Sequence, residues 1–321
     1  MKILIVGAGA TGGYFGARLA DAGRDVTFLV REQRAAFLKQ RGLRIAGLER
    51  ELRIEPKVLT AGELGERYDV VLLTVKAAGL QSALADIAPA VGPDTLIVPF
   101  LNGMVHMDAL AEAFGAEKVI GSVAHLVGTI NGEGDIELLS SMASWTVGEQ
   151  RCEKFSEKAG GQDVALSPRV QALVAEISVP GFTVVPVPDA RIALWKKWVF
   201  IVTAGVITCL MRGPVGAIAG APGGKEFVAE VSAEAAAVAA AAGFALSEAE
   251  NAERIAFLTQ EGSAFTSSLY RDVTAGLPNE GEHIVGDFAR RAAELGVATP
   301  LIDLALLQLR VHGIGPGAAG H

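Results

Sequence analysis

The chain opens on MKILIVGAGATGGYFG, Met1 to Gly16, and this stretch decides how the rest is read. Lys2 to Val6 is a short apolar run set directly against Gly7, Gly9 and Gly12, with Gly13 and Gly16 just beyond. The order predicts a strand, a turn able to cradle a phosphate, and the start of a helix, which is how a chain grips a dinucleotide. Gly7 serves the tight turn, Gly9 lets a pyrophosphate approach the backbone, and Gly12 lets the helix lie against the strand. Ala10 and Thr11 fall in the first helical turn, where N–H groups lacking intrahelical acceptors face an anion. A glycine-rich turn after a buried strand can also be only a turn, so the neighbouring sequence has to decide.

Working outward, Gly23 reads as the C-cap of the first helix and Asp25 to Val30 (DVTFLV) as a second strand of a parallel sheet. A site for NAD places Asp or Glu about 20 residues after the glycines, to hold the ribose 2′-hydroxyl. Here the strand runs into Arg31, with Arg34 one turn on. A guanidinium accepts a 2′-phosphate and a carboxylate repels it, so the expectation is NADPH/NADP. A two-strand excursion is predicted over Leu43 to Leu59. Asp69 to Val75 (DVVLLTV) is then a buried strand stopping at Lys76, and Asp94 to Phe100 (DTLIVPF) another, stopping at Leu101, Asn102 and Gly103. Ligands of open α/β sheets bind beyond the carboxyl ends of the strands, which places Lys76 and Asn102 where cofactor and substrate meet. Val119 to Val127, with His125 as a strand or pocket-wall residue, and Ser144 to Gly148 read as strands extending that sheet. Arg151 to Ser167 reads as an exposed loop before a helix from Pro168 to Ile177.

From Asp189, a good N-cap, alternating strands give way to long Ala-rich helices. The boundary is placed near Pro186 to Pro188, giving an α/β domain over 1–188, a helical domain over 189–312 and a flexible tail over 313–321. The helix from Ala190 to Met211 is apolar nearly all round and should be buried. Lys197 is conspicuous in it, because a desolvated Lys must be paired or lose basicity, and either suits a proton donor. Its helical face continues through Ile201, Ala204, Gly205 and Thr208, a strip of mostly small residues that leaves room for a ligand. Lys196 points about 100° away, towards solvent. Further helices are expected over Pro222 to Ala242, Ser247 to Gln260, Glu280 to Leu295, and from Thr299 and Pro300 onwards. Ser268 and Asp272, four apart in SSLYRDV, share a helix face.

Composition narrows the classes further. At 321 residues the chain is long enough for two domains, and half of its residues are hydrophobic, as expected of a compact globular protein. A net charge of −8 argues against a broad nucleic-acid or anionic-membrane surface, which needs a basic stripe. Only Cys152 and Cys209 occur, without partners at ligand spacing, and the five His form no metal motif, so no metal site is expected. The longest uncharged apolar run, Trp198 to Met211, is 14 residues, short of the about 20 that span a bilayer. The expected setting is the cytoplasm. The Ala-rich helices permit a homodimer without demanding one.

Taken together, the sequence resembles the ketopantoate reductase (2-dehydropantoate 2-reductase) family over about residues 1 to 312. The matching pieces are GAGATGGYFG at 7–16, Arg31, TVKA with Lys76, LNGM with Asn102, LWKKW with Lys197, and SSLYRD followed by NEGEHIVG with Glu280. The resemblance implies a Rossmann-type doubly wound sheet followed by an all-α domain similar to the C-terminal domain of 6-phosphogluconate dehydrogenase, enclosing a cleft. It implies NADPH-dependent reduction of a 2-keto acid to a 2-hydroxy acid, with ketopantoate to pantoate in pantothenate biosynthesis as the expected reaction. It also implies Lys197 as the proton donor and Glu280 as a catalytic residue that also contacts cofactor and substrate. Gly7, Gly9, Ala10, Thr11, Gly12, Arg31, Lys76 and Asn102 would hold the cofactor, and Asn102, Ser268 and Asp272 the substrate. One departure bears on the keto acid: two family Asn positions, one and two turns after the catalytic Lys, are Ile201 and Gly205 here. Reduction of another keto acid, an opine-type dehydrogenase on the same fold, and a non-catalytic NADP sensor are the alternatives.

Overall fold

The computed structural model describes residues 1–47, 51–150 and 165–314. Contacts divide the chain into two compact units, Met1–Leu101 with His106–Ala193, and Asn102–Val105 with Leu194–His321.

The first unit is built around a five-stranded, all-parallel sheet. Its strands are β1 (Lys2–Val6), β2 (Asp25–Leu29), β5 (Lys57–Leu59), β6 (Tyr68–Leu73) and β7 (Val91–Pro99), in the order β5-β2-β1-β6-β7. The order turns back between β1 and β6, which is where the strand ends of such a sheet open a crevice for a ligand. Ile3, Ile5, Val70 and Leu72 are all but fully buried, as continuous apolar strands covered on both faces should be. Helix α1 (Ala10–Asp21) follows β1, and Gly23, at φ +78, terminates it from just beyond its C-cap, Ala22. The remaining helices of this unit include α2 (Glu32–Arg41), α3 (Leu80–Ile87), α4 (Val105–Phe114, beginning in the other unit) and α5 (Pro168–Ile177), the last at the predicted bounds.

Two sequence expectations fail here. The excursion over Leu43 to Leu59 holds three strands: β3 (Leu43–Ala46) and β4 (Leu52–Ile54) form an antiparallel pair, while β5 leaves them to become the edge of the main sheet beside β2. The strands expected to extend that sheet, β8 (Gly121–Ile130) and β9 (Ile136–Glu149), instead make a second one with β3, β4 and β10 (Thr183–Asp189). Strand β9 is long enough to pair with β3 at one end, β10 at the other, and β8 along its length. Pro186 and Pro188, where the sequence suggests a boundary, lie inside β10, which among the described residues pairs with β9 alone and so tolerates missing donors. His125 is an exposed residue of β8, opposite Ser144.

Helix α1 lies between the two sheets, and its glycines are where it touches them. A Cβ on Gly16 would stand 2.6 Å from the Phe28 ring, and one on Gly13 would stand 2.4 Å from Ile136 Cδ1 of the second sheet. Phe15 fills the remaining space, edge-on to Phe100, Trp145 and Phe182.

The second unit is helical. Helix α6 (Ala190–Met211) has the predicted bounds, and the Asp189 carboxylate accepts the Arg191 N–H at 2.9 Å, as a cap does. It is long and apolar enough to cross a membrane, with mean hydropathy 1.5, yet 67% of its most apolar window is buried within the protein, as in a core helix. The helix expected over Pro222 to Ala242 is α8 (Gly224–Ala241), preceded by a short helix, α7 (Val215–Gly220), and α9 (Glu248–Leu258) follows with a Ser247–Glu250 capping box. Next come α10 (Ser268–Thr274), a π-helical segment over Glu282–Gly286 continuing into α11 (Asp287–Glu294), and α12 (Pro300–Ile314). Glu234 of α8 accepts the N–H groups of Leu301 and Ile302, each at 3.0 Å, capping α12 from a distance. Helix α12 runs past Gly313, where the tail was expected to begin. The loop expected over Arg151 to Ser167, with Cys152, and the tail beyond residue 314 lie largely or wholly outside the described residues.

Candidate active site

The first unit carries the residues expected to hold a dinucleotide. Gly7 adopts φ +100, a left-handed conformation that glycine enters at no steric cost. A Cβ on Gly12 would stand 2.1 Å from Thr74 Oγ1 and 2.3 Å from the Gly7 carbonyl, so only glycine allows this helix start against this turn. The Thr74 hydroxyl lies 2.8 Å from the Val6 carbonyl and 2.9 Å from that of Gly7, holding the turn to the end of β6. Gly9, the N-cap of α1, is exposed, and a Cβ on it would meet nothing within 4 Å. A bare backbone at a helix start, followed by Ala10 and Thr11 in the first turn, fits a bound pyrophosphate.

The basic residues separate by what already engages them. Arg31 is exposed at the N-cap of α2, at the end of the strand that follows α1. Arg34, one turn on, is half-buried, donates to the Ala8 carbonyl at 3.2 Å and to the Gly134 carbonyl at 3.0 Å, and lies over the Phe37 ring. Arg34 therefore props the glycine turn. Lys76 is exposed, three residues past the end of β6 and at the N-cap of a short 3₁₀ turn over Ala77–Gly79.

The second unit gathers the residues expected to do chemistry. Asn102 follows β7, yet Asn102–Val105 groups with the helices rather than with the sheet. Asn102 Nδ2 donates to Glu280 Oε2 at 3.4 Å, a long bond. Glu280 sits in the coil just before the π-helical segment, so the helix expected to begin at Glu280 starts one residue later and in an altered winding. Burial pushes the Lys197 ammonium down from 10.5 to about 8, and the Glu280 carboxylate opposes that shift. An amine balanced between loss of solvent and a nearby carboxylate can give up a proton near neutral pH. Lys196 instead reaches Glu250 in an ion pair, which helps hold that carboxyl down to about 2.

The strip continuing from Lys197 does not leave the room expected of it. Ala204 and Thr208 are buried, and Thr208 Oγ1 lies 2.8 Å from Ser267 Oγ at the start of α10. A Cβ on Gly205 would meet Leu269 Cδ2 at 3.2 Å, so Leu269 covers that backbone. Ile201 alone of the strip beyond Lys197 keeps part of its surface open. Ser268 is exposed in the first turn of α10 and Asp272 lies half-buried one turn on. Sequence reading passed over two neighbours of the cluster, Trp198 and His283. Trp198 Nε1 donates to the Ile284 carbonyl at 3.0 Å, and His283 is held to the Asn102 backbone and faces Glu280. Their signal was available: an indole beside Lys197 and a His three residues from Glu280. Among the described residues no group of His, Cys, Asp and Glu is arranged to hold a metal.

A parallel sheet with a glycine turn open to a pyrophosphate, and a helical unit carrying a half-buried amine under the influence of a carboxylate, fit an oxidoreductase. The chain belongs to the ketopantoate reductase PanE/ApbA family, whose profile matches residues 3–151 and whose C-terminal profile matches 189–312. It is 31% identical over 312 residues to an uncharacterized oxidoreductase, YkpB, of Bacillus subtilis, covering 97% of this chain and 99% of that one. Among solved structures, 2-dehydropantoate 2-reductase from Geobacter metallireducens superposes with a TM-score of 0.83 at 26% identity, over 97% of this chain and 99% of that one. D-mandelate dehydrogenase, solved with NADH and anilino(oxo)acetate, superposes with a TM-score of 0.81 at 21% identity, over 98% of each chain, a likeness of fold.

Proposed function

We propose that the protein reduces a 2-keto acid to a 2-hydroxy acid with NADPH in the cytoplasm, and that 2-dehydropantoate, yielding pantoate for pantothenate synthesis, is its substrate. The observation that carries the reading is Lys197, a half-buried amine whose desolvation lowers its pKa to about 8 against the pull of the Glu280 carboxylate. When bound, the cofactor supplies the hydride that reduces the keto carbon. Lys197 gives the proton that the carbonyl oxygen takes up and is reprotonated from solvent. A cationic amine aimed at a forming alkoxide stabilises it by about 3 to 4 kcal/mol. Glu280 keeps Lys197 charged in a site that would otherwise strip its proton, and Asn102 holds Glu280 in place. In this reading Ser268 offers its exposed hydroxyl to the substrate carboxylate, and Asp272 lines the same helix face. The glycine turn with Ala10 and Thr11 binds the pyrophosphate, and Lys76 meets the cofactor at the end of β6. Exposed Arg31 is the residue for a 2′-phosphate, because Arg34 is already engaged by carbonyls.

A second reading, another 2-keto acid with an apolar side chain, is favoured by one observation. Beyond Lys197 the α6 face offers Ile201 and then Gly205 under Leu269, with no hydrogen-bonding side chain at either position. NADPH oxidation measured with 2-dehydropantoate beside pyruvate, oxaloacetate and branched or aromatic 2-keto acids tests both. Turnover confined to 2-dehydropantoate supports the first reading, a preference for a hydrocarbon side chain supports the second, and no turnover with any of them overturns both.

A further inference from the structure

Asn102, Lys197 and Glu280 come from three distant parts of the chain, and two of them lie outside regular structure. Asn102 precedes a turn at Gly103, φ +77, and Glu280 ends a coil. The Glu280 carbonyl accepts the Ile284 N–H at 2.8 Å, but the Asn102 turn belongs to no helix or strand, so other contacts have to hold it. The π-helical segment Glu282–Gly286 is common to the contacts that do. π-helical turns are rare and frequently fall at functional sites. From this one, the Ile284 carbonyl accepts Trp198 Nε1 at 3.0 Å and ties down α6 at the residue next to Lys197.

His283, the residue before, ties down the Asn102 turn. Its ring donates to the Asn102 backbone carbonyl. Its own carbonyl oxygen lies 2.9 Å, and its ring Cδ2 3.5 Å, from where a Gly103 Cβ would stand, so ring and turn are in direct contact. Burial pushes the imidazole below its usual value, against the pull of the Glu280 and Asp287 carboxylates that face it. A neutral ring keeps an N–H for the carbonyl without setting a second cation near Lys197.

We propose that His283 is a positioning residue, which fixes the Asn102 backbone and through it the Asn102–Glu280 pair beside Lys197. The proposal rests on the catalytic reading of Lys197 and Glu280 given above. Its test combines kinetics with backbone hydrogen exchange on the full chain, for H283A, H283Q, N102A and the H283A/N102A double variant. Exchange in the segment 102–105 should rise several-fold in H283A and stay near wild type in H283Q, whose amide can donate to the same carbonyl. The kcat should fall about tenfold in H283A and recover in H283Q, and H283A should cost nothing further in the N102A background. Unchanged exchange in H283A overturns the proposal whether or not the wild-type protein turns over. So does a kcat loss that adds in full to that of N102A. A wild-type protein inactive towards every 2-keto acid but showing the exchange pattern would instead refute the catalytic reading and leave the positioning role standing.

Discussion

Lys197 shows how far surroundings change a residue. In solution its ammonium would hold its proton far above neutrality, and burial in α6 brings the pKa to about 8. A donor must be protonated to donate, so kcat should hold below about pH 8 and decline as pH rises through that value. A pH profile flat to pH 10 would remove Lys197 as the donor. Stability moves the other way: the unfolded chain holds this proton up to about 10.5, so the Lys197 contribution becomes more favourable between pH 8 and 10.5. Lys197→Ala should lower kcat by about 100- to 1,000-fold. NADPH affinity, measured by titration of cofactor fluorescence, should barely change. Arg31 and Arg34 teach a different lesson. Spacing alone put both near the end of β2; burial and the carbonyls that Arg34 bonds separate the exposed arginine from the structural one. Arg31→Ala should weaken NADPH far more than NADH, and equal losses for the two would contradict a 2′-phosphate contact.

Elements whose pattern is local could be read from sequence. The bounds of β1, α5 and α6 follow from an apolar run against glycine, a Ser-Pro start, and an apolar stretch behind an Asp cap. What pairs with what could not be read. Alternation in β8 and β9 reports that one face is buried, not which strand lies alongside, and the second sheet joins β3 to β9 across most of a domain of sequence. The packing of α10 on α6 was equally hidden, since Leu269 reaches Gly205 from 64 residues away in sequence. At this scale Gly12→Ala is the sharpest test. Its Cβ would meet backbone and a hydroxyl held between two carbonyls, neither of which can yield cheaply, so a loss of about 1 to 3 kcal/mol and of cofactor binding is expected. Calorimetry and a binding titration would show it. Glu234→Ala should cost about 0.5 to 2 kcal/mol by uncapping α12, without touching NADPH affinity.

For the whole molecule, the proposed function assigns the two halves different ligands. NADPH at 100 times its Kd should raise stability by about 2.7 kcal/mol, read as an increase in Tm that Arg31→Ala diminishes and Lys197→Ala does not. The family was legible because its short motifs fall in order over nearly the full length. The keto acid was not, because that choice rests on a few side chains whose neighbours only folding supplies. Chain order also misstates one allegiance. Asn102 to Val105 follow a strand of the first unit and yet are counted with the helices, so the two halves are not interchangeable cassettes. A chimaera that takes residues 189–312 from a relative inherits a π-turn shaped to another protein's tetrapeptide. Such hybrids should regain activity only when positions 102–105 travel with the helical half, a coupling that recombination between family members would have to respect.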